Sequence, residues 1–384
     1  MNEGNLELSA LAGSEIAPPP ERPAPGIGLC LSGGGFRAML FHAGSLWRLN
    51  EVGLLNKVTR ISSVSGGSIT AAWLGRLWEQ RGWGRTAIPA NEFRGLFVGG
   101  LCRLARHTVD IPCVLRGFLP WCNVGREVAR VYDHLLFQRA TLQDLPDAPR
   151  FILNASNLQS GALWRFSKPY MGDWKVGLVD RPDIPLAWAV AASSAFPPVL
   201  SPFELKLRQN QFVNSGKETL QRPPFTTRPI LSDGGVYDNL GLETVFKHYQ
   251  TVLVSDGGAP FRSDPGPAQF WPCQLVRVLG CIDNQVGALR KQEVIGAFKA
   301  SQRDGCYWGI ATTLASYPRP GPLSCSPEMT ARLAGVPTRL ARLSDHRQHE
   351  LINWGYAACA ASIDSHYPKA GPDPAWPYPD APLG

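Results

Sequence analysis

The chain has 384 residues, with 38 Lys and Arg against 31 Asp and Glu, a formal net charge of +7, and 44% hydrophobic side chains. That length holds one large domain or two small ones with a sizeable core, and 10% aromatic residues with only 18% charged ones exclude global disorder, collagen and coiled coil. The positive charge is spread, with no run of five Lys or Arg, which argues against a nucleic-acid partner and leaves an anionic lipid surface open.

Nine cysteines, at 30, 102, 113, 122, 273, 281, 306, 325 and 359, include no C-x-x-C pair and no histidine at zinc-finger spacing. Neither a disulfide framework nor a structural zinc site is expected, and most of these thiols read as buried small hydrophobes in a reducing compartment. Near the N-terminus Glu3 and Glu7 stand where a signal peptide would be basic, and no window offers 18 apolar residues in succession. A soluble, cytoplasmic protein is expected, with peripheral membrane contact as a further expectation.

Residues 1–25, rich in Pro, Ala and Glu, show no periodicity and read as a disordered leader. A strand-then-helix rhythm follows: the apolar run Ile27 to Leu31 meets Gly33-Gly34-Gly35 and a helix from Phe36 to Asn50, and Val58 to Val64 meets Gly66-Gly67 and a helix from Ser68 to about Gln80. Further buried strands are predicted at Arg150 to Ala155, Pro229 to Ser232 and Thr251 to Ser255. This alternation predicts an α/β fold, a central mostly parallel sheet with helices on both faces in three layers.

From 93 to 136 the pattern is helical and reads as an insertion over one end of the sheet. In it Phe93, Leu96, Phe97, Leu101 and Leu104 alternate with Arg94, Arg103, Arg106 and His107. A lid or membrane-facing patch is one reading, with Phe93, Phe97 and Leu101 settling on anionic lipid; a cap packed onto the domain is the preferred one. Helices at Asn284 to Ser301 and His346 to Ile363 precede a Pro-rich tail over 366–384, so that one domain spans 26–365.

Three segments carry chemistry. Ser63-Val64-Ser65-Gly66-Gly67 joins a strand to a helix, the setting of a G-x-S-x-G nucleophile elbow with Ser63 in place of the first Gly. An ordinary capped loop is the competing reading. In Ser32-Gly33-Gly34-Gly35-Phe36-Arg37-Ala38, consecutive glycines let unhindered N–H groups converge on a phosphate or on an oxyanion, although a P-loop would continue with Gly-Lys-Ser/Thr and a Rossmann fingerprint fails. Arg37 is a candidate contact for a phosphate head group, or a structural partner to an acid. Asp233-Gly234-Gly235 and Asp256-Gly257-Gly258 each place an acid after a strand, and spacing does not choose between them as the base toward Ser65. None of the seven histidines lies in a turn-rich strand end, so a Ser-His-Asp triad lacks a member.

The glycine segment, the Ser63–Gly67 elbow, Ala191-Ala192-Ser193-Ser194-Ala195-Phe196-Pro197-Pro198, and Asp233-Gly234-Gly235 with Asp238-Asn239 stand in the chain order of patatin-like phospholipases, and the chain resembles a bacterial-type member of that family. The glycine and Ser-Gly-Gly-Ser segments are also similar to the cytosolic phospholipase A2 catalytic domain. The matched blocks extend from about 26 to 260. The resemblance implies a serine lipid acyl hydrolase of phospholipase A, lysophospholipase or esterase type, a Ser–Asp dyad of Ser65 and Asp233, an oxyanion hole from Gly33, Gly34 and Gly35, a turn role for Asp256, and an acyl-enzyme that needs no metal or cofactor. The competing functional reading is a phosphate- or nucleotide-binding α/β module without catalysis.

Overall fold

In a computed structural model, residues 23–84, 86–117, 123–213, 218–368 and 371–384 are described. The expected leader therefore lies outside the described residues, save for its last three. Among them a single mixed sheet runs in the order β11-β10-β1-β2-β3-β4-β5-β6-β8, with β9 and β7 joined to it through β3. Five strands are parallel: β11 (Asp304–Gly309), β10 (Tyr249–Asp256), β1 (Ala24–Leu31), β2 (Val58–Val64) and β3 (Arg150–Asn157). The continuous apolar runs read from the sequence are these strands, covered on both faces as parallel strands are.

Beyond β3 the sheet turns antiparallel, through short strands of which only the one at 230–233 answers a predicted strand, that at Pro229 to Ser232. β4 (Leu163–Phe166), β5 (Tyr170–Asp173), β6 (Gly177–Asp180) and β8 (Phe212–Val213) continue the sheet beyond β3. β9 (Ile230–Asp233) runs antiparallel to β3, and β7 (Phe203–Glu204) pairs with β9. These strands are two to four residues long, too short for alternation to register.

Successive residues of β1 and β10 serve opposite faces. Leu29, Leu31 and Leu253 enter the large core, while Cys30, Val252 and Val254 join a smaller cluster on the other side. The large core is covered by α1 (Gly35–Glu51), α2 (Gly66–Arg81) and α10 (Asp345–His366). α1 and α10 approach until a Cβ on Gly44 would stand 1.9 Å from the Ile352 carbonyl oxygen, so the crossing requires glycine there. The Pro-rich tail is part of this layer: the Asn353 amide donates to the carbonyls of Tyr378 and Ala381 at 2.8 Å each, and Leu383 is buried.

The 93–136 segment contains a π-helical turn (Phe93–Val98), α3 (Gly99–Ala105), α4 (Asp110–Gly117) and α5 (Val124–Tyr132). Phe93, Phe97, Leu101 and Leu104 are fully buried, with Phe93 packed on Trp47 and on Phe97. The membrane-facing reading of these residues is thereby corrected. Their spacing of four, four and three puts them on one helical face, and that face packs inward.

Candidate active site

β2 ends at Val64, and Ser65 takes φ 52° and ψ −118° before α2 begins at Gly66. A serine in this conformation carries strain of about 1–3 kcal/mol, held by the strand behind it and the helix ahead. Gly66 has to be glycine, since a Cβ would lie 2.2 Å from the Gly35 carbonyl oxygen. Ser63, the departure from the elbow pattern, is accommodated: its hydroxyl donates to the Ile152 carbonyl at 3.2 Å and sits 3.0 Å from Ser68 Oγ. The Ser65 N–H donates to Ser193 Oγ at 3.1 Å, and that hydroxyl donates to the Asn154 carbonyl at 2.6 Å. The Ala191–Pro198 block gives Ser193 no role of its own, and its contact with the elbow depends on α6 (Leu186–Ser193), which packs against β3 and α2.

The candidate base, Asp233, arrives from the opposite direction. β2 and β4 occupy opposite edges of β3, because Leu153 and Asn154 pair with both. Ala155 and Ser156 pair with both β4 and β9, so β9 shares the β2 edge. β2 is parallel to β3 and stops at Val64 opposite Asn154; β9 is antiparallel and stops at Asp233 opposite Ala155. Two strand ends therefore meet head to head, bringing Asp233 to Ser65 from 168 residues away in sequence.

Asp233 is buried, and its Oδ1 accepts from the Gly235 N–H at 2.7 Å. Oδ2 is also enclosed and completes no hydrogen bond, while the Ser65 hydroxyl lies close enough to favour the ionised form. Burial outweighs both and raises the carboxyl to about 7, with Asp283 adding repulsion.

Asp256 has the same local sequence and a different environment. Burial pushes its pKa up, but Lys291 Nζ at 2.7 Å, the Tyr307 hydroxyl at 2.6 Å and the Gly258 N–H at 2.9 Å overcome that and hold it below the usual carboxylate range. It is a structural ion pair, more than a turn cap, and has no capacity left to accept a proton near neutrality.

In the glycine turn, the Gly33 N–H donates to the Asn239 carbonyl at 3.0 Å, which removes it from the three expected oxyanion donors. No described residue accepts from the Gly34 or Gly35 N–H. Arg37 is buried and absent from the pocket; its Nε donates to the Gly257 carbonyl at 3.0 Å and Nη1 to that of Val336. Head-group contact by Arg37 is thus corrected to a clamp between α1 and two loops. Replacing Arg37 by Met should lower thermal stability by about 2–4 kcal/mol through two unsatisfied buried carbonyls, with KM little changed in variants that stay folded; a raised KM at unchanged melting temperature would reverse this assignment.

His42, one turn further along α1, is fully buried, and burial lowers its pKa to about 4. Its neutral ring donates from Nε2 to the Ser32 carbonyl at 2.9 Å, leaving Nδ1 to accept from Ser255 Oγ at 2.8 Å. Both nitrogens are occupied beneath the glycine turn.

Ser65 opens into a cavity of about 400 Å³. One wall is α4, through Ile111, Val114 and Leu115; the other is the loop 196–200 after α6. Arg339 and Asp110, paired at 2.9 Å, supply the charge beside Gly35. The insertion therefore builds one wall of the pocket, a role that no pattern in α4 announced.

A family model described as patatin-like phospholipase matches residues 29–246, more than half of the chain, a span that includes the glycine turn, Ser65 and Asp233. The chain belongs to the patatin-like phospholipase family. Among solved structures, human GIVD cytosolic phospholipase A2 superposes on this patatin-like chain with a TM-score of 0.52 at 12% identity, covering 94% of it and 62% of the human chain. VipD from Legionella pneumophila gives 0.38 at 15% identity over 90% of this chain and 67% of its own. At such identity the human structure bears on the fold alone, which is the same mostly parallel sheet between helices. The sequence has no significant match among curated proteins.

Proposed function

We propose that this patatin-like protein hydrolyses a carboxylic ester of a lipid through an acyl-enzyme on Ser65. The observation that carries the reading is the meeting of a strained serine with a buried carboxyl whose free oxygen faces no other partner, at the floor of a cavity walled by aliphatic side chains. Ser65 Oγ attacks the ester carbonyl as its proton passes to Asp233 Oδ2. The oxyanion is held by the Gly34 and Gly35 N–H groups and by the positive end of α2, and the same proton then goes to the departing alcohol. Water, deprotonated by Asp233, releases the fatty acid. A carboxyl at about 7 is a far better base toward a hydroxyl than one at its ordinary value.

The apolar pocket and the commitment of Gly33 to Asn239 favour an acyl chain over a phosphate cradle. A fluorophosphonate probe with a long alkyl chain should add to a Ser65 peptide, read by mass spectrometry, and a panel of phospholipid, lysophospholipid and glyceride substrates should then identify the head group. Absence of any Ser65 adduct alongside a phosphate-dependent rise in melting temperature would favour the binding module.

The pH profile follows from the base. Asp233 must be ionised to act, so kcat/KM on a soluble ester should climb through about pH 7 and level above it. A rise complete by pH 5 would mean that burial does not tune this carboxyl.

A further inference from the structure

α8 (Trp271–Lys299) is the one long helix whose apolar side chains are left largely uncovered by the described residues. Its C-terminal half is moored: Val294 and Ala297 are buried, Lys291 pairs with Asp256, and Arg290 meets Glu243 at 3.2 Å. Its N-terminal half is not. Trp271, Leu275, Val278, Leu279, Ile282 and Leu289 are each between 48 and 70% exposed. Spaced by steps of one, three, four and seven, they fall within about 100° on a helical projection. They form a stripe about 27 Å long at 1.5 Å per residue, with Phe270 continuing it at the helix start.

The place of this stripe suits a lipid surface. α8 packs on α7 (Gly235–Asp238), the turn that follows Asp233, and its Asp283 is near enough to Asp233 to raise its pKa. The helix therefore passes the strand end that carries Asp233, next to Ser65, whose pocket rim exposes Ile111, Leu115, Phe196 and Val199 by half or more. Arg277, whose guanidinium stacks 4.0 Å from the Phe261 ring centre and bonds the Arg262 carbonyl, flanks the stripe with the only cation between Trp271 and Ile282, and no acid lies in that span.

Charge favours a lipid surface over a second copy of the chain: between Trp271 and Ile282 the stripe holds one cation and no acid, which suits an anionic head-group layer and offers a second copy no opposite charge to pair with. A bilayer needs no complementary shape, and a tryptophan and phenylalanine at the leading end suit the head-group boundary.

We infer that the apolar stripe of α8 docks the protein onto a phospholipid bilayer beside the Ser65 pocket. The inference rests on the lipid-ester reading for its purpose but is tested separately from it. The probe is extruded vesicles of phosphatidylcholine and phosphatidylglycerol, with co-sedimentation of the full chain as the readout. Wild type should co-sediment and stay bound at high salt, because apolar burial is screened little. The triple variant Trp271→Ser, Val278→Ser, Ile282→Ser should bind about tenfold to a hundredfold less, with hydrolysis of a short soluble ester within about twofold of wild type. Should the triple variant fail to fold, judged by circular dichroism, Trp271→Ala alone should still weaken binding severalfold.

Vesicle binding that is unchanged in these variants, or that salt abolishes, overturns the inference. So does a wild-type dimer in light scattering that the triple variant converts to a monomer while vesicle binding persists, which would assign the stripe to a second copy. A chain that binds vesicles through α8 yet hydrolyses no ester would leave the docking intact and sink the lipid-ester reading.

Discussion

Replacing Asp233 by Asn is expected to lower acylation by several orders of magnitude while making the protein more stable above neutral pH. The carboxyl is raised by burial to about 7, so between its ordinary value and pH 7 the folded chain keeps a proton that the unfolded chain has released. Stability therefore falls as pH rises through that window, and at pH 8 the ionised Asp233 opposes folding by up to about 4 kcal/mol, an upper bound that the nearby Ser65 hydroxyl and Gly235 N–H already temper. Asn retains the size and a carbonyl oxygen for the Gly235 N–H, and it carries no charge at any pH. Chemical denaturation of both proteins at pH 4 and pH 8 checks this: the variant should gain several kcal/mol at pH 8 and little at pH 4. Equal stability at both values, or retained turnover, would remove Asp233 from the role of buried base. The companion Asp256→Asn should behave oppositely in stability, because it removes a buried carboxylate held ionised by Lys291 at 2.7 Å and by the Tyr307 hydroxyl at 2.6 Å, and should retain most activity in whatever fraction stays folded.

Replacing Ser65 by Ala should abolish ester hydrolysis and fluorophosphonate labelling together, whereas Ser65→Gly should abolish both and also stabilise the fold. The difference lies in the backbone. At φ 52° and ψ −118° any Cβ is strained, so Ala keeps the strain of Ser while Gly releases about 1 kcal/mol or more of it, less what glycine costs in unfolded-chain entropy. Melting temperatures in the order Gly, then Ala with Ser, are expected. A Ser65→Ala protein that still turns over substrate would transfer the nucleophile elsewhere, and a Ser65→Gly protein that melts well below wild type would show that the elbow is not strained.

Much of the catalytic end was legible from local sequence. A strand that runs into three glycines, and another that runs into Ser-Gly-Gly, each need small residues where backbone passes close to backbone, and such requirements are written in residue type alone. The observed 2.2 Å approach that a Cβ on Gly66 would make to the Gly35 carbonyl is the physical content of that pattern. The preference for a packed insertion over an exposed patch also agrees with the burial of Phe93 and Phe97.

Other features were not legible because their causes are remote in the chain. Asp233 and Asp256 share the local sequence Ser-Asp-Gly-Gly, and what separates them is Lys291 and Tyr307, which reach one and not the other. Arg37 looked available for a ligand until the carbonyls of Gly257 and Val336 claimed it. α4 gave no sign that its aliphatic face would wall a cavity, since that depends on the loop 196–200 standing opposite.

The sequence by itself determined the strand-to-helix turns, the placing of small residues around Ser65, and the α/β class, because each follows from backbone sterics and burial acting over a few consecutive residues. Local spacing left Asp233 and Asp256 equal and the family resemblance chose Asp233; the tertiary structure supplies the physical reason, since β9 enters antiparallel on the edge of β3 where β2 stops, and no cation among the described residues acts on Asp233. Electrostatics and strand pairing act between residues far apart in the chain, and the environment that lifts one aspartate toward neutrality and holds its local twin ionised exists once the chain has folded.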